Sequence, residues 1–272
     1  MSTLLLRSRR PRRATAAPRF RTILGIRFFA GALPALLRLT RQGGLIVVPS
    51  GPGLADLERE PEYRQAVETS DLALTDSGFL VLLWTLLRRE RLPRISGLQF
   101  VRGLVGMPEF RDPGAVFWVM PTAEDAAANG AWLAAQGIAM APDCVYLAPR
   151  YPGAGIQDPE LVARIEAVRP RFVMLNIGGG VQERLGFHLR AHLSFRPAII
   201  CTGAAIAFLS GRQASIPPWA DRLRLGWLLR CARNPTRFIP RYVRAIRLAR
   251  VVWTYGEHRA IPHRPATGPH PA

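Results

Sequence analysis

Phe172-Val173-Met174-Leu175-Asn176-Ile177-Gly178-Gly179-Gly180-Val181-Gln182-Glu183 is an apolar run that stops at a polar residue, turns through three glycines and enters a helical pattern that lasts to His192. A short, continuously apolar segment of this kind is a strand buried on both faces. Similar runs stand at Leu45–Val48, Leu72–Leu74, Val116–Val119, Cys144–Leu147 and Ala198–Thr202. Between several of them lie segments with helical periodicity: Leu54–Val67, Phe79–Arg89, Ala123–Gln136, Pro159–Val168 and Gln182–His192. Buried strands alternating with helices predict an α/β fold, a mainly parallel, Rossmann-like sheet flanked by helices.

Ligands of open parallel sheets bind beyond the carboxyl ends of the strands. Three such ends carry chemistry. Val48-Pro49-Ser50-Gly51 follows the first core strand. Thr75-Asp76-Ser77-Gly78 follows the second, and Asp76 reads either as a proton acceptor or as the N-cap of the next helix. Gly178, Gly179 and Gly180 let a ligand approach the backbone ahead of a helix whose first N–H groups have no intrahelical partner. The loop is neither a dinucleotide fingerprint nor a Walker loop, since the required glycine spacing and the Lys-Ser/Thr ending are absent. No cofactor motif is present.

Net charge narrows the partners. All 37 basic residues of the 272 are arginine, and the formal charge is +18. A field of that size calls for an anion: phosphate, nucleic acid or acidic lipid. The apolar fraction of 49% excludes a disordered chain. Cys144, Cys201 and Cys231 are odd in number and lack metal spacing, so they read as reduced cytoplasmic thiols. His188 and His192 share a helix face but have no third ligand at metal-binding spacing, and no metal site is assigned. Residues 1–22, rich in arginine and free of acids, are expected to be disordered. The apolar stretch Ile23–Leu39 is interrupted by Arg27 and Pro34, too short and too polar to span a membrane.

The α/β core is expected over 23–211, and beyond it the composition changes. Residues 212–255 hold Arg222, Arg230, Arg233, Arg237 and Arg241 among tryptophans and leucines, with Asp221 the one acid up to Arg250. Such an arginine-rich amphipathic appendage suits an anionic membrane surface, or else a solvated basic face packed on the core. Pro235 and Pro240 are expected to divide it into short helices. Residues 256–272 read as a flexible tail. Nucleic acid is not expected as a partner: no binding module is present, and the basic helices carry too many apolar residues.

In this order the segments resemble the WecG/TagA/CpsF family of glycosyltransferases. Glu60-Pro61-Glu62-Tyr63-Arg64 with Ser70–Asp76 resembles the family's "DPEFR…ADLVLPDG", and Asn176–Glu183 its "GLGAPKQE". Gly203–Gly211 resembles "GGSFDFLAG"; Pro217-Pro218-Trp219, Leu225–Arg230 and Pro235–Phe238 resemble its carboxyl-terminal segments. The resemblance implies an inverting enzyme that moves a sugar from a UDP-sugar donor to a polyprenyl-diphosphate-linked saccharide, in exopolysaccharide or cell-surface glycan synthesis. Asp76 falls on the proposed base. Ser50, Gly178, Gly179, Gln182, Glu183 and Gly203 fall on the donor side. Arg222, Arg230, Arg233, Arg237 and Arg241 fall on the appendage that meets diphosphate or membrane, on the inner face of the cytoplasmic membrane. The family's threonine and asparagine after the first strand fall on Val48 and Ser50, the acid of "TGSD" on Gln99, its lysine on Val181 and the aspartate of "FDFLAG" on Ala207. Those departures leave a second reading, a catalytically weakened partner in the same pathway. A homo-oligomer stays open.

Overall fold

The structure, a computed structural model, describes residues 19–203, 205–212 and 235–261, the side chains of 235 and 237–245 excepted. Its sheet has eight strands in the order β1-β2-β4-β3-β8-β7-β5-β6. They are β1 (Phe20–Ile23), β2 (Ile26–Phe29), β3 (Gly44–Val47), β4 (Leu72–Ala73), β5 (Val116–Met120), β6 (Val145–Leu147), β7 (Phe172–Leu175) and β8 (Ala198–Cys201). All neighbours are parallel except the hairpin pair β1 and β2. The register aligns Ala73, Val47, Cys201 and Leu175 in one row, so the polar residues that follow each strand emerge side by side on one rim.

Helices cover both faces. One face packs α2 (Gly51–Ala55), α3 (Pro61–Glu68), α4 (Gly78–Arg88), α7 (Pro159–Val168), α8 (Val181–His192) and the carboxyl-terminal part of α10 (Pro235–Tyr255) into a core that includes Leu80, Trp84, Leu185, Leu189 and Leu248. The other packs α1 (Leu33–Thr40), α5 (Gly97–Val105), α6 (Ala123–Ala135) and α9 (Ala205–Leu209) around Phe100, Leu104, Trp118 and Ile206. Gly186 lets α8 lie directly on the sheet: a Cβ there would sit 2.7 Å from Leu45 Cδ1 and 3.1 Å from Cys201 Sγ. Gly186→Ala is therefore expected to overpack this contact and lower stability by about 1–3 kcal/mol, read as a shift in the urea midpoint.

Four expectations are corrected. Residues 20–22 are ordered in β1 rather than lying outside the core, because Phe20 packs its ring on Phe29 at 5.9 Å between centroids. The single helix over Leu54–Val67 is two, α2 and α3, broken ahead of Pro61, which disfavours helical backbone at Glu60. Pro240 does not divide the appendage; α10 runs unbroken through it. A proline this close to a helix start removes one N–H···O=C bond, and the buried Leu248, Val251 and Val252 anchor the rest of the helix. Finally, residues 256–261 are not loose: the Leu24 and Gly25 N–H groups donate to the Gly256 and Glu257 carbonyls at 2.8 and 3.0 Å, and Arg259 pairs with Glu68 at 2.6 Å.

Candidate active site

Asp76 lies three residues past the row that ends β4, on a segment that turns into α4. It does not cap α4; Ser77 does, accepting from Leu80 N–H at 3.2 Å. Asp76 instead accepts from the Gly97 N–H at 3.0 Å with Oδ1, satisfying the first free donor of α5. Its side chain keeps 36% of its surface exposed, and Oδ2 makes no hydrogen bond among the described residues. The Arg94 guanidinium holds the segment from the other side, donating from Nε to the Asp76 carbonyl at 2.8 Å and standing 3.9 Å from Oδ1.

Gly97 carries the rim onward. A Cβ on it would touch Val48 at 3.4 Å and the Thr202 carbonyl at 4.0 Å, so Asp76, the end of β3 and the end of β8 meet at the start of α5. Ser50, just past β3, is half-buried and caps α2 by accepting from Gly53 N–H at 3.3 Å. Gly203 follows Thr202 at φ +58°, and Gln182 stands 3.5 Å from where its Cβ would be. Beyond it, Gly178, Gly179 and Gly180 have nothing within 4 Å of a built Cβ, so the loop faces open space. Gly180 needs its glycine, since φ is +88° there.

Gln182 and Glu183 lie beneath this loop. Glu183 is almost fully buried; it accepts from Gly180 N–H at 2.6 Å and from Gln182 Nε2 at 3.0 Å. Burial pushes its carboxyl above the usual range, against the pull of those donors. Burial, followed by the Glu183 charge, also raises the Tyr63 hydroxyl well above its ordinary value. Arg184 ties the loop down from outside, donating to the Gly180 carbonyl at 3.1 Å and to the Gly153 carbonyl. Glu183 thus shapes the glycine turn, and Gln182 spans from Glu183 to the Cys201 carbonyl at 3.3 Å.

Three buried polar atoms at this rim have no hydrogen-bond partner among the described residues: Asn176 Oδ1, Gln182 Oε1 and Thr202 Oγ1. Buried polar atoms left unpaired are costly, so these three call for a bound water or another polar group to complete their bonding. Asn176 and Thr202 stand on adjacent strands, one residue past the Leu175–Cys201 pair. Sequence reasoning did not single them out as site residues; a polar residue directly after a continuously apolar strand is the signal that could have found them.

The amino ends of α4, α5 and α8 all open on this rim, and their dipoles favour an anion there. Beside it, an open groove of about 560 Å³ is lined by Gly31, Pro93, Arg94, Gln99 and Arg102 among others; Asp76 is not a wall of it but is joined to it through Arg94. Gln99 accepts from Ser96 N–H at 3.1 Å while Ser96 Oγ accepts from Gln99 N–H at 3.2 Å, a complete capping box that fixes the start of α5. Of the appendage arginines, Arg237 and Arg241 lie on α10 by their backbone, with side chains outside the described residues; Arg222, Arg230 and Arg233 lie outside them altogether. Among the described residues no three His, Cys, Asp or Glu side chains gather to hold a metal ion, and no helix is long and apolar enough to cross a membrane.

A parallel sheet with an anion-favouring rim, a carboxylate and a glycine turn along it defines an α/β protein of the kind that binds phosphorylated ligands at its strand ends. The chain belongs to the glycosyl transferase WecG/TagA/CpsF family, whose sequence model matches residues 21–261. It is thereby placed among glycosyltransferases of cell-surface glycan synthesis, which in general take a nucleotide-sugar donor and a lipid-linked acceptor. No curated protein matches the chain.

Proposed function

We propose that this protein transfers a sugar, with inversion, from a UDP-sugar to a polyprenyl-diphosphate-linked acceptor, working peripherally at the inner face of the cytoplasmic membrane. The observation that carries this reading is Asp76, a partly exposed carboxylate with one oxygen fixed on the Gly97 N–H and the other unbonded among the described residues. Inversion needs one base to take the proton of the acceptor hydroxyl as it attacks the anomeric carbon, and a carboxylate held at one oxygen and open at the other can do this. The departing UDP leaves with extra negative charge. Helix amino ends at the rim, the Arg94 guanidinium and the appendage arginines Arg222, Arg230, Arg233, Arg237 and Arg241 supply opposite charge without requiring a metal.

On the donor side, Gly178 and Gly179 admit the nucleotide to the backbone, and Gln182, Gly203 and Ser50 line its approach. Glu183 acts at one remove by holding the turn. Gln99 fills the N3 place of the α5 capping box, so the missing acid there does not unfix the helix that holds Asp76.

A panel of UDP-sugars scored for UDP release, with and without a polyprenyl-diphosphate saccharide, tests the reading. One sugar is expected to give release that depends on the acceptor. A panel silent in both conditions, for folded protein, rejects it.

A further inference from the structure

Helix α4 has two apolar faces where one would suffice. Leu80, Val81 and Trp84 are buried, yet Phe79, Leu82 and Leu86 stand on the opposite side, Leu86 at 67% exposure. Their spacing of three, four and seven residues puts them on one stripe. Helix α10 repeats the arrangement: Leu248, Val251 and Val252 are buried, while Ile246 and Trp253, seven apart, are exposed, Trp253 at 76%.

The two helices lie side by side and run the same way. Leu248 of α10 stands 3.9 Å from the Cβ position of Gly51, which is itself 3.0 Å from Ser77 Oγ at the start of α4; at the other end, Gly256 meets the Arg88 guanidinium that closes α4. Their inner residues join the same core, so their outer faces are presented to the same side of the molecule. Neither helix contains an acidic residue, while α10 carries Arg250 between Ile246 and Trp253, and α4 ends at Arg88 with Arg89 and Arg91 just beyond. Arg88, Arg89, Arg91 and Arg250 are exposed; Arg247 is engaged by Asp56, and the nearby Glu90 by Arg21.

We infer that α4 and α10 together form a membrane-docking platform, in which Phe79, Leu82 and Leu86 enter the acyl boundary of an anionic bilayer beside Ile246 and Trp253 while Arg88, Arg89, Arg91 and Arg250 take the headgroups. The inference deepens the proposed function, on which its purpose rests, by giving half of the membrane contact to a helix of the catalytic core. Charge decides against a second copy as the occupant: a self-complementary contact would set Arg88, Arg89, Arg91 and Arg250 against their own copies, and neither helix has a carboxylate to offset them. A bilayer meets both needs, since tryptophan and arginine gather at its interface and anionic lipid neutralises the cations. Because α4 starts beside Asp76, docking it would hold the proposed base at the height of lipid-borne acceptor headgroups.

Flotation of the full chain on vesicles of phosphatidylcholine, alone or mixed with phosphatidylglycerol, reads the platform directly. Wild type is expected to float on the anionic vesicles only. Leu82→Asp/Leu86→Asp is expected to lower that binding at least about tenfold, while Leu147→Asp, an equally exposed leucine on β6, leaves it unchanged. Trp253→Ser on the other helix serves should the double variant fold poorly, with a smaller loss in the same direction. Transfer to a short-chain, water-soluble acceptor is measured in parallel: its absence in wild type rejects the proposed function while leaving flotation to judge the platform. Equal flotation of wild type and double variant overturns the inference, as does equal flotation on both lipids. A drop in sedimentation mass with flotation unchanged also overturns it, by showing that the stripe joins two copies.

Discussion

Asp76→Asn is expected to abolish most sugar transfer, by about 10²–10⁴-fold, while leaving the melting temperature within error of wild type. The two halves of this expectation come from the two oxygens. Oδ1 accepts from the Gly97 N–H, and an asparagine Oδ1 accepts equally well, so the start of α5 stays fixed. What asparagine lacks is a basic oxygen for the acceptor proton. Asp76→Ala removes both, and should match the transfer loss of the asparagine variant while also costing about 1 kcal/mol of stability from the lost cap. A pair of variants equal in rate and unequal in stability separates chemistry from architecture. Wild-type transfer by Asp76→Asn would remove Asp76 as the base, whatever the alanine variant does.

That Asp76 could be read as a candidate from the chain alone has a physical basis. A strand buried on both faces must be continuously apolar, so a carboxylate directly after it is conspicuous, and the parallel order fixes which end faces ligand. The same logic made Gly178–Gly180 and Ser50 legible. Of its two readings, base or cap of the next helix, the structure replaces the second: Ser77 caps α4, and Asp76 reaches across to α5. That contact joins residues 21 apart and no local pattern carries it.

The amino-terminal hairpin was illegible for a different reason. Its two-residue turn is Leu24-Gly25, with φ of 54° and 75°. Turns with both central residues at positive φ ordinarily advertise themselves with Asn-Gly or Asp-Gly, and leucine there is uncommon. The turn is held from outside, by the carbonyls of Gly256 and Glu257 far down the chain. Arginines around it gave the composition of a disordered tail, although Arg27 lies over the Phe20 ring at 3.9 Å and Arg21 pairs with Glu90. Helix α5 was missed although its signature, Ser96-x-x-Gln99, is local and readable.

Glu183 tests the donor side most sharply, because burial and bonding act on it in opposite directions. Burial pushes its carboxyl up from 4.5, while Gln182 and the Gly180 N–H pull it down, and burial is the larger effect. A carboxyl raised in the folded state keeps its proton at pH values where the unfolded chain has lost it. Stability from this group is therefore fully present below the ordinary carboxylate value, and it declines as the pH rises from there toward the raised value. Glu183→Gln removes the titration, so the variant's melting temperature is expected to lose that downward slope. At neutral pH it carries a separate cost. One amide oxygen replaces two carboxylate oxygens, and either Gly180 N–H or Gln182 Nε2 loses its acceptor, a penalty of about 1–3 kcal/mol. Because Gly180 sits at φ +88° and opens the loop to ligand, the loosened turn is expected to raise KM for the donor more than it lowers kcat. Melting curves from acid to neutral pH, with donor titrations on the same protein, read all three effects. An unchanged slope would show that the wild-type carboxyl is not raised by burial, and a loss confined to kcat would place Glu183 at the chemistry rather than beneath the donor loop.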